Sequence, residues 1–182
     1  KQDAICAPET LAVLDDAYIE FGGESVVSMI ASHPNLVVLR TFSKWAGLAG
    51  LRVGYSVSDP ELASHMMSLK QPYNVNVAAD AGARAALAHF AEIKETIASI
   101  VAERDRMARL CAELGWLTPL PSQANFVLFA VGERRAVDVA AALRSKGVLV
   151  RYYERPDLVN YIRISAGRPE DTDRLLAVLR EV

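Results

Sequence analysis

Lys44 lies in the string Arg40-Thr-Phe-Ser-Lys-Trp-Ala-Gly-Leu-Ala-Gly-Leu-Arg52, just past an apolar run and inside a turn of small residues. A lysine amine attacks an aldehyde, forming a Schiff base, only when it is deprotonated. Such a lysine is expected to be partly desolvated or close to another cation. Its place, after a buried strand, is the end of an open α/β sheet at which ligands gather. Thr41 and Ser43 stand within three residues of it, and Arg52 follows eight positions later. Two hydroxyls, a permissive backbone at Gly47 and Gly50, and one planar guanidinium make a cradle for phosphate oxygens. Each of these residues also has a plain structural role. Lys44 reads equally as a solvated loop lysine, the hydroxyls as partners of loop backbone, and Arg52 as half of a surface ion pair.

An acid completes the set. Asp15 ends the apolar run from Thr10, and Val13 and Leu14 before it predict burial. A buried carboxylate is costly unless paired. A protonated ring nitrogen is a suitable partner, because the charged ring is the better electron sink. Tyr18, three residues on, can donate to a phenolic oxygen on the same ring. Asp16 is the rival for this role, and the alternation of the strand does not choose between them. The plain alternative is an aspartate that caps the next turn and a tyrosine that packs. An aldehyde for the lysine, a phosphate for the cradle and a ring nitrogen for the acid together describe pyridoxal 5′-phosphate.

Two arginines lie in apolar strands. Arg163 is flanked by Ile162 and Ile164, and Arg151 follows Val148-Leu-Val. An arginine so bracketed faces solvent from a half-buried strand or is aimed at an anionic ligand.

The chain that must position these groups has 182 residues, of which 52% are hydrophobic and 23% charged. This is the composition of a packed globular protein. A net charge of −2 gives no electrostatic case for nucleic acid, and no apolar run reaches the length of a membrane span. Cys6 and Cys111 form neither a disulfide framework nor a metal spacing, and read as reduced thiols of a cytoplasmic protein. Lys1-Gln-Asp-Ala carries no initiator Met and no signal pattern. The chain therefore reads as the C-terminal part of a longer protein.

Alternating apolar runs and helical segments predict an α/β fold with parallel strands. Strands are expected at 10–16, 35–42 and 51–57, a helix at 25–32, and a helix from Asp59-Pro60 to about Leu69. Pro72 breaks the pattern. Residues 75–114 keep helical spacing, as one kinked helix or two in series, and Gly115 ends the run. The remainder predicts a small α+β lobe, with strands at 125–130, 148–153 and 161–166 and helices at 134–146 and from Arg168 onward. The expected organisation is a partial large cofactor-binding domain (1–72), a long interdomain helix region (73–114) and a small C-terminal domain (115–182).

The segments Val13-Leu-Asp-Asp-Ala-Tyr-Ile-Glu-Phe21, Asn35 to Tyr55 and Tyr161-Ile-Arg-Ile-Ser-Ala-Gly167 resemble the fold type I pyridoxal-phosphate aminotransferases. The first of them and Val-Leu-Val-Arg-Tyr-Tyr resemble the histidinol-phosphate aminotransferase branch. The resemblance covers nearly the whole chain, in order. It implies that Lys44 binds the cofactor aldehyde and then shuttles a proton. It implies that Asp15 pairs with the ring nitrogen, Tyr18 with the phenolic oxygen, and Thr41, Ser43 and Arg52 with the phosphate. Arg163 is implied to bind a substrate α-carboxylate and Arg151 a substrate phosphate. The implied substrates are L-histidinol phosphate and 2-oxoglutarate, and the implied assembly is a homodimer. Trp45-Ala46 departs from the small residue and then aromatic that the resemblance leads one to expect. Aromatic-amino-acid aminotransferases and threonine-phosphate decarboxylases share the same pattern, and an inactive fragment or non-enzymatic homologue is the alternative from another class.

Overall fold

The computed structural model describes residues 10–182, so Cys6 lies outside the described residues. The chain divides into two compact units, one up to Lys94 and one from Glu95 to Val182. The division falls inside the region that the sequence reads as the linking helices.

The first unit is built on three strands: β1 (Ala12–Asp15), β2 (Leu36–Thr41) and β3 (Gly54–Ser58). β1 runs parallel to β2, and β3 runs antiparallel to it. Ala12, Leu36 and Val38 form a buried cluster on one face. Val26 and, from the short 3-10 segment Val27–Ala31 that follows it, Val27, Met29 and Ile30 cover it, where the sequence suggested an ordinary helix. Five residues are too few for an α-helix with satisfied ends, and His33-Pro34 stop it. Along the opposite face Leu11, Val13 and Leu39 remain exposed.

The expected strand at 51–57 is shorter than predicted. Ala49–Leu51 form a 3-10 turn and the strand starts only at Gly54. Helix α1 (Pro60–Leu69) begins as the sequence indicates, with the Asp59 carboxylate accepting from the Glu61 backbone N–H at 2.9 Å. The long helical run resolves into two helices, α2 (Val77–Ala88) and α3 (Phe90–Ala112), broken at His89.

The second unit carries a four-stranded antiparallel sheet, in the order β4 (Thr118–Pro119), β5 (Phe126–Ala130), β7 (Tyr161–Ser165), β6 (Arg151–Tyr152). Strand β4 carries too weak a signal, two residues, to be seen in the sequence. α4 (Ala136–Ser145) and α5 (Pro169–Leu179) pack with the end of α3 over one sheet face. Period-two alternation sorts the faces: Val127, Phe129, Ile162 and Ile164 enter the core, and Phe126, Leu128, Arg163 and Arg151 share the other face. Gly147 ends α4 at φ +77°, a conformation that suits glycine. Cys111 is a free, buried thiol whose pKa burial pushes up to about 12.

Candidate active site

Strand β2 delivers its last residue, Thr41, to the turn that holds Lys44. The Thr41 hydroxyl accepts from the Ser43 backbone N–H at 3.0 Å, which bends the chain and exposes Lys44. Gly47 continues the turn at φ +68°, and Leu48 N–H closes it on the Phe42 carbonyl at 3.1 Å. Trp45 is buried beneath, edge-on to Phe90 at 5.3 Å and tilted against Phe42 at the same separation. The unusual Trp45 is thus a floor for the turn.

The lysine is solvent-exposed, not desolvated as the chemistry suggested. Its Nζ lies 5.5 Å from the centre of the Tyr18 ring, and among the described residues it has no ion-pair partner. Two of the named site residues, Lys44 and Tyr18, are therefore brought together directly. Asp15 corrects the expectation of burial: it is exposed, on the same sheet face as the exposed Val13 and Leu39. Its Oδ1 accepts from the Ala17 backbone N–H at 2.9 Å. Asp16 is taken up elsewhere. Its Oδ2 accepts from Ser25 Oγ at 2.7 Å and lies 3.6 Å from Arg40 Nη2.

Arg52 has φ +56°, the one positive value for a non-glycine residue among those described. Such a conformation costs energy unless the surroundings enforce it, and it concentrates at functional sites. Its Nη1 donates to the Ala49 carbonyl at 2.8 Å, which folds the side chain back over the glycine turn. Gly54 follows, opposite Thr41, where a Cβ would stand 2.6 Å from the Arg40 carbonyl oxygen. No larger residue fits between these strands.

Sequence reading assigned no role to Glu20. Burial raises its pKa above the ordinary carboxylate value, against the opposing pull of Arg40, and its Oε2 is buried without a hydrogen bond. Its signal was its place in Tyr-Ile-Glu-Phe, an acid among apolar residues.

In the second unit Arg151 and Arg163 are register partners across β6 and β7. Among the described residues neither has a carboxylate partner. The Arg163 guanidinium lies 4.8 Å from the Phe126 ring centre and 5.7 Å from that of Tyr153; Arg151 lies 5.2 Å from the same Tyr153 ring. The two arginines thus form one cationic patch bounded by aromatic rings. Sequence reading missed the rings, although Tyr153 stands two residues after Arg151.

The sequence model of the aminotransferase class I and II family matches residues 4–179. The chain belongs to that family. The aminotransferase chain is 48% identical over 170 residues to a histidinol-phosphate aminotransferase of Dehalococcoides mccartyi, covering 93% of this chain and 48% of that protein. It is similar to the crystal structure of histidinol-phosphate aminotransferase from Sinorhizobium meliloti in complex with pyridoxal-5′-phosphate. The TM-score is 0.85 and the identity 34%, with 96% of this chain and 49% of the other covered. A third similarity is to L-threonine-O-3-phosphate decarboxylase from Porphyromonas gingivalis, at TM-score 0.83 and 26% identity over 96% of this chain and 55% of the other. The aminotransferase chain spans about half the length of the curated relatives it matches. Its α/β architecture, with a parallel strand pair, is that of the fold type I enzymes. Among the described residues there is no cluster of metal-ligating side chains, and no helix is long and apolar enough to cross a membrane.

Proposed function

We propose that this chain is part of a pyridoxal-phosphate-dependent aminotransferase that acts on L-histidinol phosphate, with 2-oxoglutarate as the amino acceptor. The observation that carries the reading is Lys44, free of carboxylates at the head of its turn, with its amine over the Tyr18 ring.

The residues present fit the cofactor. Lys44 would hold it through its aldehyde carbon. Thr41, Ser43 and Arg52 would hold its phosphate, and the strained Arg52 backbone is what a built cradle costs. Asp15, whose carboxylate makes one local hydrogen bond, would pair with the ring nitrogen. Tyr18 would donate to the phenolic oxygen. When bound, pyridoxal phosphate supplies an electron sink and carries the amino group between substrates. Lys44 moves the proton at the substrate Cα.

Arg151 and Arg163 bind the anionic end. Arg163 suits a carboxylate and Arg151 a phosphate, each through a planar fork of N–H donors. L-histidinol phosphate and 2-oxoglutarate both present such oxyanions. The same reading proposes a homodimer in the cytoplasm. The likeness to an L-threonine-O-3-phosphate decarboxylase favours the alternative reading, a threonine-phosphate decarboxylase on the same cofactor.

The test is a cofactor label followed by a substrate screen. The full-length enzyme should be yellow, and borohydride should fix the cofactor's mass on the peptide containing Lys44. Lys44→Ala should lose both the yellow colour and turnover. Retention of either refutes the role of Lys44. Transamination of phenylalanine with histidinol phosphate inert would refute the substrate.

A further inference from the structure

We propose that Tyr153 is a positioning residue that sets the spacing of Arg151 and Arg163 for a doubly charged oxyanion, the phosphate monoester of the amino donor. This rests on the function proposed above.

Arg151 and Arg163 occupy directly opposed positions on neighbouring antiparallel strands. Like charges so placed repel, and carboxylates are the usual remedy. None is supplied here among the described residues; the remedy is an aromatic ring. The Tyr153 ring faces both guanidinium groups, at 5.2 Å from Arg151 and 5.7 Å from Arg163, and Phe126 backs Arg163 at 4.8 Å. A ring face attracts a cation without neutralising it or occupying its N–H donors. Arg163 Nε is already buried without a partner. The pair therefore keeps two net positive charges and most of its donors, held apart by one ring that follows directly on β6. A phosphate dianion satisfies both charges, whereas a carboxylate satisfies one. Removing the ring should hurt the dianion more than the monoanion.

The experiment uses the full-length holoenzyme, with inorganic phosphate as an inhibitor of the half-reaction with glutamate and histidinol phosphate as the phosphorylated donor. Tyr153→Leu is expected to raise both the phosphate Ki and the KM for histidinol phosphate about tenfold. It should leave the glutamate KM and both kcat values within about threefold. Tyr153→Phe keeps the ring and should match the wild type in every measurement. Unchanged phosphate inhibition in Tyr153→Leu, an equal rise in the glutamate KM, or no inhibition of the wild type by phosphate would each overturn the proposal. Should the wild type transaminate glutamate and leave histidinol phosphate untouched, the substrate assignment falls. The phosphate Ki then decides the role of Tyr153 by itself.

Discussion

Asp16, and not its neighbour Asp15, is the aspartate engaged by Arg40: Asp16 Oδ2 stands 3.6 Å from Arg40 Nη2 and accepts from Ser25 Oγ. Two adjacent acids at the end of one strand are thereby divided in function. Asp16 is tied to the fold, and Asp15 remains available to a ligand. Asp15→Asn is expected to lower turnover about ten- to hundredfold, the worth of a hydrogen bond to a charged group, with little change in the denaturation midpoint. Asp16→Asn should do the reverse, lowering stability by about 1–3 kcal/mol through loss of a half-buried charge interaction. Steady-state rates and urea titrations on the two variants check the division; equal effects on turnover would refute it.

Arg163→Lys keeps the charge and loses the planar fork. If Arg163 binds an oxyanion through paired N–H donors, the KM for both the amino donor and 2-oxoglutarate should rise about tenfold or more. Protein stability should change little, because the lost ring contacts are each worth about 1 kcal/mol at most. Substrate KM values, read beside a thermal melt, distinguish a binding role from a packing role.

Gly54→Ala places a methyl carbon 2.6 Å from the Arg40 carbonyl oxygen, which the β2–β3 ladder holds rigidly. The strands must separate, at a cost of about 1–3 kcal/mol. Since Gly54 lies opposite Thr41, the same shift should disturb the proposed phosphate cradle. A lowered denaturant midpoint together with weaker cofactor binding is the expected pair of results, measured by unfolding and by cofactor titration.

Cys111 gives a pH signature. Its folded pKa is pushed up to about 12 because burial disfavours the thiolate. The folded state keeps a proton that the unfolded state loses, so unfolding releases a proton above pH 9. This contribution is complete below pH 9 and is lost as pH rises towards 12, at about 1.4 kcal/mol per pH unit. Cys111→Ala should be less stable at pH 8 through the cavity it leaves, yet should lose stability less steeply above pH 9. Urea midpoints of both proteins across pH 8–11 provide the comparison, and identical slopes would show that the thiol does not contribute.

Much of this protein is legible in its sequence because the signals are local. Asp59-Pro60 opens α1, and the alternation along Tyr161-Ile-Arg-Ile-Ser puts the isoleucines in the core and Arg163 on the other face. Spacing along one chain segment is enough for such features, because helix and strand geometry follow from it. Thr41, Ser43, Lys44 and Arg52 could be singled out together because they are near one another in sequence; of their side chains the structure joins Thr41 to the Ser43 backbone and turns Arg52 onto the Ala49 carbonyl.

What only the tertiary structure decided depends on cross-strand register and on side chains far apart in the chain. Asp15 and Asp16 are equal in sequence, and Ser25 and Arg40 separate them. Exposure of Asp15 was misjudged, because an apolar run predicts burial only where another layer covers it, and on this face Val37 is buried whereas Val13 and Leu39 beside Asp15 are exposed. Arg151 and Arg163 could each face solvent or an anionic ligand by sequence alone; the β6–β7 register set them opposite each other, beside the Tyr153 ring. The sequence determined which groups this protein owns; the pairing of strands decided which of them meet, since a register is fixed by packing across the sheet and not by spacing along the chain.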